Sequence, residues 1–250
     1  MAFLSTDSFF TAGAKITFFG RFSKRCLEKT HNSRRELGRK CRNHYLCRAM
    51  QLRNLSDIHT HHIGRADALL SLPVERALAG CITPFSLELH PWKLETSANA
   101  LSLQLDTFRR AADALRHDPR LMAIGECGLD NHCDVPLAIQ ITAFRAALAT
   151  ARELDLPVII HCVGHWAEVM AMVREAGTSA NIIHGFRKGT TLATQLLNAG
   201  FSIALGEKFN PDVARLVPAD RLFFETDESE VDICTIREKI LTLRHEIYRT

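Results

Sequence analysis

Two histidines separated by one residue, in Asp57-Ile58-His59-Thr60-His61, are the first residues of this chain whose types and spacing could bind a metal. They lie at the end of a short apolar run, and residues two apart on an extended strand point to the same side. Two imidazoles on one side of a strand end can be the first two ligands of a metal ion. Most His-x-His pairs bind nothing, so this pair predicts a site only if later strands supply more ligands.

Metal-capable side chains recur where later apolar runs end. Taken alone, a histidine or carboxylate in such a place is more often a hydrogen-bonded structural residue or a solvated charge than a ligand. Four imidazoles and two carboxylates at five strand ends are nevertheless improbable as an accident. The sequence therefore predicts a metal site made of His59, His61, Glu126, His161, His184 and Asp227.

This set of ligands is larger than one four-coordinate ion needs. It predicts two divalent ions, with a carboxylate such as Glu126 bridging them. A paired site binds a water as hydroxide near neutral pH and stabilises both the attacking and the leaving oxygen, so hydrolysis is the predicted chemistry. Asp227 is predicted to take the proton from the attacking water, which makes Asp227 and Glu126 the predicted catalytic residues. The ligand types leave Zn²⁺, Mg²⁺ and Mn²⁺ open as the metal.

Three further polar residues lie near the predicted strand ends. His90 is a candidate substrate contact, with a structural role in its loop as an equal alternative. His165 lies on the loop after the fourth predicted strand, where substrate contacts are expected. Asp130 follows Glu126 by four residues and is a candidate partner that holds a ligand's ring or the loop.

Repeated strand–helix units predict the scaffold that positions these residues. Seven apolar, often β-branched runs alternate with helical segments, including a long amphipathic one at 97–117. This alternation favours a parallel sheet with helices outside it, and over about 200 residues a closed or nearly closed (β/α) barrel is the expected α/β fold, with an open doubly wound sheet as the alternative. In such a barrel the site lies at the C-terminal ends of the strands. The seven predicted strands are 55–59, 82–89, 121–126, 157–161, 181–184, 201–205 and 222–226.

Charge is unevenly distributed along the chain. Residues 1–50 hold 11 Lys and Arg against 3 acidic residues, a net of +8, whereas the other 200 residues hold 20 and 25, a net of −5. We predict that residues 51–250 form one hydrolase domain and that residues 1–50 are a basic extension that is disordered or poorly packed. This extension could be an arm that binds nucleic acid or an anionic membrane, a transit-like peptide, or an upstream segment outside the natural protein. We favour the last interpretation, with Met50 as the natural start.

The cysteine pattern and the hydropathy of the chain indicate the cellular compartment in which the protein is expected. The eight cysteines show no Cys-x-x-Cys spacing, and several lie within apolar runs, which favours reduced thiols and a cytoplasmic protein. No run of about 18 apolar residues is present, so no membrane-spanning helix is predicted.

The motifs, taken in order, resemble those of TatD-family metal-dependent hydrolases, over residues 57–230. The resemblance implies a distorted TIM-type barrel, two divalent metals and a 3′–5′ exodeoxyribonuclease-like activity on DNA ends. It also implies that one ion is held by His59, His61, Glu126 and Asp227, and the other by Glu126, His161 and His184. The matching segments are Asp57-Ile-His-Thr-His, Leu89-His-Pro, Ile124-Gly-Glu-Cys-Gly-Leu-Asp, Pro157-Val-Ile-Ile-His-Cys, Ile183-His-Gly-Phe and Glu225-Thr-Asp, together with Gln140 and Phe144.

Three departures from the family pattern affect the barrel and its substrate side. About 30 residues separate His59 from His90, where the family usually has one more strand–helix unit, so we predict a shortened barrel of about seven strands. Val163 stands where the family commonly has an arginine, and Glu228-Ser229 replaces its usual Ser-Pro. Arg187 and Lys188, which follow His184, are therefore candidates for the missing phosphate contacts.

Three functions remain open on this ligand set. The first is phosphodiester hydrolysis at a DNA end. The net charge of −5 disfavours tight nonspecific binding of duplex DNA, but two divalent ions add a local positive charge of about four, which would allow an end to bind at the metals. The second is hydrolysis of a small amide or phosphate ester, which a short barrel with a narrow mouth favours. The third is a metal-binding protein without catalytic activity.

Overall fold

Eight parallel strands form one sheet in the computed structural model, which describes residues 50–65, 67–178 and 180–245. Apart from Met50, the predicted basic extension lies outside the described residues. Neighbours in the sheet are neighbours in the sequence, from the first strand to the last, and every pair is parallel. The strands are β1 (Asp57–Thr60), β2 (Ala68–Leu72), β3 (Phe85–Leu89), β4 (Leu121–Asp130), β5 (Val158–Val163), β6 (Asn181–Ile183), β7 (Ser202–Leu205) and β8 (Leu222–Phe224).

The helices lie between the strands, and local sequence accounts for their ends. The second one begins after Ser97, whose hydroxyl accepts a hydrogen bond from the N–H of Ala100, and it buries Leu101, Leu105 and Phe108 on one face. None of the helices in the described ranges is long and apolar enough to cross a membrane. They are α1 (Val74–Leu78), α2 (Ala98–Ala114), α3 (Leu137–Leu154), α4 (Trp166–Ala176), α5 (Thr190–Asn198), α6 (Pro211–Leu216) and α7 (Ile233–His245), with a short 3₁₀ turn at Pro91–Lys93.

The barrel closes between β1 and the segment that follows β8. Thr60 and Asp227 form a parallel bridge. The N–H of Asp227 donates to the carbonyl oxygen of His59 at 2.9 Å, and the N–H of His61 donates to the carbonyl oxygen of Asp227 at 3.2 Å. Closure therefore brings the first and the last predicted metal ligands side by side. The sequential strand order confirms the barrel and excludes the doubly wound alternative, whose strand order reverses.

The predicted count of seven strands is wrong by one, because β2 was not predicted. Its five residues, Ala-Leu-Leu-Ser-Leu, include no β-branched or aromatic side chain, so local propensity does not favour a strand. Pairing with β1 on one side and β3 on the other determines its conformation, and all five residues are buried. No helix occurs in the described part of 61–67, so what shortens this barrel is the lack of a helix between β1 and β2.

The fourth strand is longer than predicted and runs on to Asp130 instead of ending at Glu126. Its pairing with β5 shifts register between Ile124 and Cys127. At Gly125 and Gly128 the φ angles are +129° and +152°, and an added Cβ would overlap carbonyl oxygens of β5. These two glycines allow β4 and β5 to approach closely on both sides of Glu126.

Two buried clusters hold the barrel together. The larger cluster lies between the sheet and the helices, and its fully buried rings include Phe85, Phe108, Phe144 and Phe201. The smaller cluster takes residues from seven of the eight strands, as expected for the packed interior of a (β/α) barrel. Its members are Leu52, Ile58, Leu69, Met122, Ala123, Ile159, Ile182, Ala204 and Phe223.

Candidate metal centre

Glu126 lies at the centre of a cluster of five histidines. Its side chain is 3% exposed. Oε2 lies 3.3 Å from Nε2 of His59 and 3.3 Å from Nε2 of His61. Oε1 lies 2.7 Å from Nε2 of His184, 2.8 Å from Nδ1 of His161 and 3.2 Å from Nε2 of His90. Oε2 therefore faces two imidazoles and Oε1 faces three others.

Asp227 completes the side of the cluster that holds His59 and His61. Its Oδ1 lies 3.7 Å from Nε2 of each of these two histidines. The backbone bridge to Thr60 positions it, and its φ of +55° turns the chain at this point. The Asp227 side chain is 27% exposed, so it is accessible from the cavity above the cluster, which it lines.

The charge of Glu126 suits a cation site. Burial disfavours its ionised form, but the imidazoles around it outweigh burial and hold the pKa of Glu126 well below its ordinary value. Burial lowers the pKa of His184 to about 4. The His184 ring is therefore neutral near pH 7, and its Nε2 can offer a lone pair to a metal.

Asp130 determines which nitrogen of His161 faces the cluster. The Asp130 Oδ2 atom lies 2.8 Å from Nε2 of His161, and since a carboxylate only accepts, Nε2 carries the proton. Nδ1 lies 2.8 Å from Oε1 of Glu126, and although burial opposes it, the hydrogen bonds to Glu126 and Asp130 raise the pKa of His161. A cation that replaced the proton on Nδ1 would receive the lone pair of that nitrogen. Asp130 also accepts from the indole N–H of Trp92 at 2.8 Å and from the backbone N–H of His132 at 2.7 Å. These donors outweigh burial and hold the pKa of Asp130 below its ordinary value.

His90 reaches the cluster in a form that does not suit a metal ligand. Its Nδ1 accepts from the backbone N–H of Trp92 at 3.1 Å, so in the neutral ring the proton is on Nε2. That Nε2–H lies 3.2 Å from Oε1 of Glu126 and donates to it. We therefore interpret His90 as a hydrogen-bond donor at the site, although its ring atoms are close enough to Glu126 and His161 to group with them.

The donor atoms fit bound metal ions. His59 is 0% exposed, and neither of its ring nitrogens has a hydrogen-bond partner among the described residues, which is costly for a buried polar group. Ligand atoms that share one ion at about 2.1 Å are separated from each other by about 3.0–3.5 Å. The separations of 3.3 and 3.7 Å around His59 are close to that range. Within the described part of the chain, three groups of side chains could hold an ion: His59, His61 and Asp227; His59, Glu126 and His184; and His90, Glu126 and His161.

The predicted substrate contacts divide into two sets. A cavity of about 710 Å³ lies over the cluster, and His90, Arg187 and Lys188 line it. His165 is not among the described residues that line this cavity. It occupies the N-cap position of α4 instead, without a side-chain hydrogen bond to the helix, and its Nδ1 lies 4.0 Å from a carboxylate oxygen of Glu168.

Three residues of the site were missed by reasoning from the sequence. Asp57 is buried and accepts hydrogen bonds from the N–H and the hydroxyl of Thr226, at 3.0 and 2.6 Å. Glu225 is buried behind His184 and accepts from the N–H of Gly185, and burial with the nearby charge of Asp227 raises its pKa well above the ordinary value. Trp92 holds Asp130. Asp57 and Glu225 belong to the family motifs named above, so the motifs could have indicated a role for them. Trp92 follows directly after the Leu-His-Pro motif, and nothing in the sequence indicated a role for it.

An eight-stranded parallel barrel whose strand ends gather histidines and carboxylates is typical of metal-dependent hydrolases. The family model described as "TatD related DNase" matches residues 80–230, and the chain belongs to this family. The resemblance drawn from the motifs is thereby confirmed.

Individual relatives match part of the chain. It is 35% identical over 118 residues to a Bacillus subtilis protein named "Uncharacterized metal-dependent hydrolase YabD", covering 43% of this chain and 46% of that protein. It is 33% identical over 148 residues to the "3'-5' ssDNA/RNA exonuclease TatD" of Erwinia amylovora, covering 54% of this chain and 52% of that protein. The chain thus spans about half the length of the curated relatives it matches.

The solved structure of YJJV, a TatD homolog from Escherichia coli K12, has a similar fold. The TM-score is 0.57 at 19% sequence identity, with 72% of this chain and 83% of that chain covered. At this identity the similarity supports the barrel fold alone.

Proposed function

We propose that this protein is a divalent-metal-dependent hydrolase that cleaves phosphodiester bonds at the 3′ end of single-stranded nucleic acid, and that residues 51–250 are its functional domain. The observation that carries the proposal is that the two oxygens of Glu126 face different imidazoles: Oε2 faces His59 and His61 at 3.3 Å, and Oε1 faces His161 and His184 at 2.7–2.8 Å, with the donor His90 at 3.2 Å. A buried, charged carboxylate in this position suits the bridge between two cations.

The proposed ligands divide around Glu126. One ion would be held by His59, His61, Glu126 and Asp227, and the other by Glu126, His161 and His184. Two divalent ions, when bound, would lower the pKa of a coordinated water and balance the negative charge that develops on a phosphate. Four imidazoles favour Zn²⁺ or Mn²⁺, whereas phosphoryl chemistry favours Mg²⁺ or Mn²⁺, so Mn²⁺ suits both.

The chain's own groups have distinct proposed roles. Asp227 is accessible from the cavity and would accept the proton from the attacking water. The Nε2–H of His90 would orient Glu126 or donate to a phosphate oxygen. Arg187 and Lys188 are exposed at the cavity and would contact the phosphate of a neighbouring nucleotide.

A polyanionic substrate that enters by its end agrees with the charge of the domain. Residues 51–250 have a net charge of −5, which disfavours extended contact with a duplex. An end that reaches the cluster needs only the few phosphate contacts nearest the cut. The name of the Erwinia amylovora relative points to the same class of substrate.

The test is degradation of a 5′-labelled single-stranded oligonucleotide by the full chain with Mg²⁺, Mn²⁺ or Zn²⁺. We expect a ladder that shortens from the 3′ end, and its loss in Glu126→Ala and in Asp227→Asn. Asp134→Asn, at an exposed carboxylate after β4, is the matched control and keeps the ladder. An intact oligonucleotide with every metal would overturn the proposal.

A second candidate is hydrolysis of a small amide or phosphate ester at the same cluster. The observation in its favour is that acidic side chains line a second cavity, of about 410 Å³, beside Asp227. Glu207 and Glu228 lie in this lining, where they would repel a long polyanion. Turnover of small amides or phosphate monoesters, with no cleavage of oligonucleotides, would select this candidate.

A further inference from the structure

Both tryptophans of the chain, Trp92 and Trp166, line the cavity above the metal-ligand cluster. Trp92 is 61% exposed. An indole left in water forfeits the free energy of burying its large apolar face, and exposed aromatic rings beside a site are typical of ligand contacts. The two rings therefore need separate explanations.

Packing accounts for Trp166 but does not account for the open face of Trp92. Trp166 is only partly exposed, and its ring contacts the ring of Phe186 edge to face, with centroids 6.0 Å apart. The ring of Trp92 contacts the ring of His90, with centroids 5.7 Å apart and the planes nearly perpendicular, so the two rings do not stack. The face of Trp92 stays accessible from the cavity.

Trp92 is held rigidly for a residue so exposed. It lies in the 3₁₀ turn Pro91–Lys93, where its backbone N–H donates to Nδ1 of His90 at 3.1 Å. Its indole N–H donates to Oδ2 of Asp130 at 2.8 Å. Since the backbone and the edge of the ring are both anchored, little rotamer freedom is left to lose when a ligand covers the face.

Hydrogen bonds connect the indole of Trp92 to the cluster where the reacting phosphate would bind. Oδ2 of Asp130 accepts from Trp92 and also from His161, each at 2.8 Å, and His161 in turn contacts Glu126. Two hydrogen bonds therefore connect the indole edge to a proposed metal ligand. A nucleotide whose phosphate lies at the cluster can place a neighbouring base at the indole.

We propose that Trp92 is a stacking platform for an unpaired nucleobase next to the scissile phosphodiester, and that it makes the site selective for single-stranded ends. This inference rests on the proposed nuclease function. A base in a duplex has both faces covered by its neighbours, whereas an unpaired base can stack on an aromatic ring. Stacking tolerates every base, so the selection is for strandedness and not for sequence.

The first experiment compares 5′-labelled single-stranded oligonucleotides with an intact 3′ end and with the base removed from the last or the next-to-last nucleotide. With the full-length protein we expect kcat/KM for the intact end to exceed that for at least one abasic end by roughly five- to hundredfold. Trp92→Ala lowers this ratio to near one. Trp92→Phe keeps an aromatic face and retains most of the ratio, and Trp166→Phe retains it as well.

The second experiment reads stacking without turnover. In Trp166→Phe, Trp92 is the remaining tryptophan. A single-stranded oligonucleotide with phosphorothioate linkages at its 3′ end, which resist cleavage, is titrated in the presence of Mg²⁺. We expect quenching of the Trp92 fluorescence that is weaker for the abasic oligonucleotide. Fluorescence that is equally quenched by both, or by neither, would overturn the stacking role.

The outcomes separate this inference from the function on which it rests. Equal degradation of intact and abasic ends by the wild-type protein, or an unchanged ratio in Trp92→Ala, would overturn the role of Trp92 and leave the nuclease function standing. Degradation of no oligonucleotide at all would overturn the nuclease function, and the inference with it.

Discussion

Asp130 illustrates how one residue can control a site without touching a metal. It accepts from Nε2 of His161, which directs Nδ1 of that ring toward Glu126, where a metal ion could take the place of the proton. The side-chain amide oxygen of Gln140 accepts from the backbone N–H of Asp130 at 2.8 Å and so holds the backbone that carries the carboxylate. An imidazole whose outer nitrogen is bound by a carboxylate is a better-oriented and more basic ligand.

We predict that Asp130→Asn weakens the affinity for divalent metal by about ten- to hundredfold. An amide is neutral and one of its two ends is a donor, so it stabilises the required form of His161 less well. Isothermal titration calorimetry with Mn²⁺ or Zn²⁺ measures the change, and Asp134→Asn serves as the exposed control. Equal affinity in Asp130→Asn and the wild type would contradict this role.

At the scale of secondary-structure elements, the seam between β1 and the segment after β8 determines the site. The backbone bonds of this seam align His59 with Asp227. Asp57, at the start of β1, fastens the same seam by accepting from the N–H and the hydroxyl of Thr226. Burial raises the pKa of Asp57, and the hydrogen bonds to Thr226 oppose that rise.

We expect Asp57→Ala to lower the free energy of unfolding by about 2–3 kcal/mol, because two donors of Thr226 lose their partner in a buried place. Urea unfolding followed by far-ultraviolet circular dichroism measures the loss. Asp113→Ala is the control: Asp113 is exposed and forms a surface ion pair with Arg116, so its removal should change stability by at most about 1 kcal/mol. A loss in Asp57→Ala no larger than in the control would refute the role of the seam.

The contact between β4 and β5 depends on the absence of a side chain at Gly128. A Cβ there would overlap the carbonyl oxygen of His161, and φ is +152°. Gly80 also has a positive φ, of +93°, but no atom lies within 4 Å of its added Cβ. Gly128→Ala should therefore cost more than about 3 kcal/mol or prevent folding, whereas Gly80→Ala should cost about 1 kcal/mol. Thermal unfolding of both variants provides the comparison, and equal losses would show that the close approach is not required.

At the scale of the whole molecule, the cluster joins distant parts of the chain. Its proposed ligands lie in or directly after β1, β4, β5, β6 and β8, and the buried ring nitrogens of His59 have no hydrogen-bond partner among the described residues. Ions bound here would cross-link both sides of the barrel seam. Metal binding and folding are therefore expected to be coupled.

Removal of metal is predicted to lower the melting temperature of the wild-type protein by about 5–10 °C. Free metal at a hundred times its dissociation constant stabilises the folded state by about 2.7 kcal/mol, and each kcal/mol corresponds to about 2–4 °C for a domain of this size. Differential scanning calorimetry with and without a chelator measures the shift. Glu126→Gln should melt at the same temperature in both conditions. A wild-type curve that the chelator leaves unmoved would count against a metal site in the folded protein.

Two predictions at this scale stay predictions. Residues 1–49, the main part of the proposed basic extension, lie outside the described residues, and the cytoplasmic location rests on cysteine usage alone.

The order and the types of the proposed ligands can be predicted from the amino-acid sequence, and so can most of the alternating strands and helices. Both are local properties: polarity and chain direction show where an apolar run ends, and in a parallel barrel these ends meet at one edge. For this reason His59, His61, His161, His184 and Asp227 could be predicted to lie near Glu126 before any coordinates were known.

The remaining features become visible in the folded barrel. Pairing with its neighbours identifies β2, β4 extends to Asp130, and His165 lies at the start of α4 and not in the cavity lining. The barrel also forms the link from Trp92 through Asp130 to His161. The pairing of β2 and this link depend on contacts between different elements, and such contacts leave no periodic pattern in the chain.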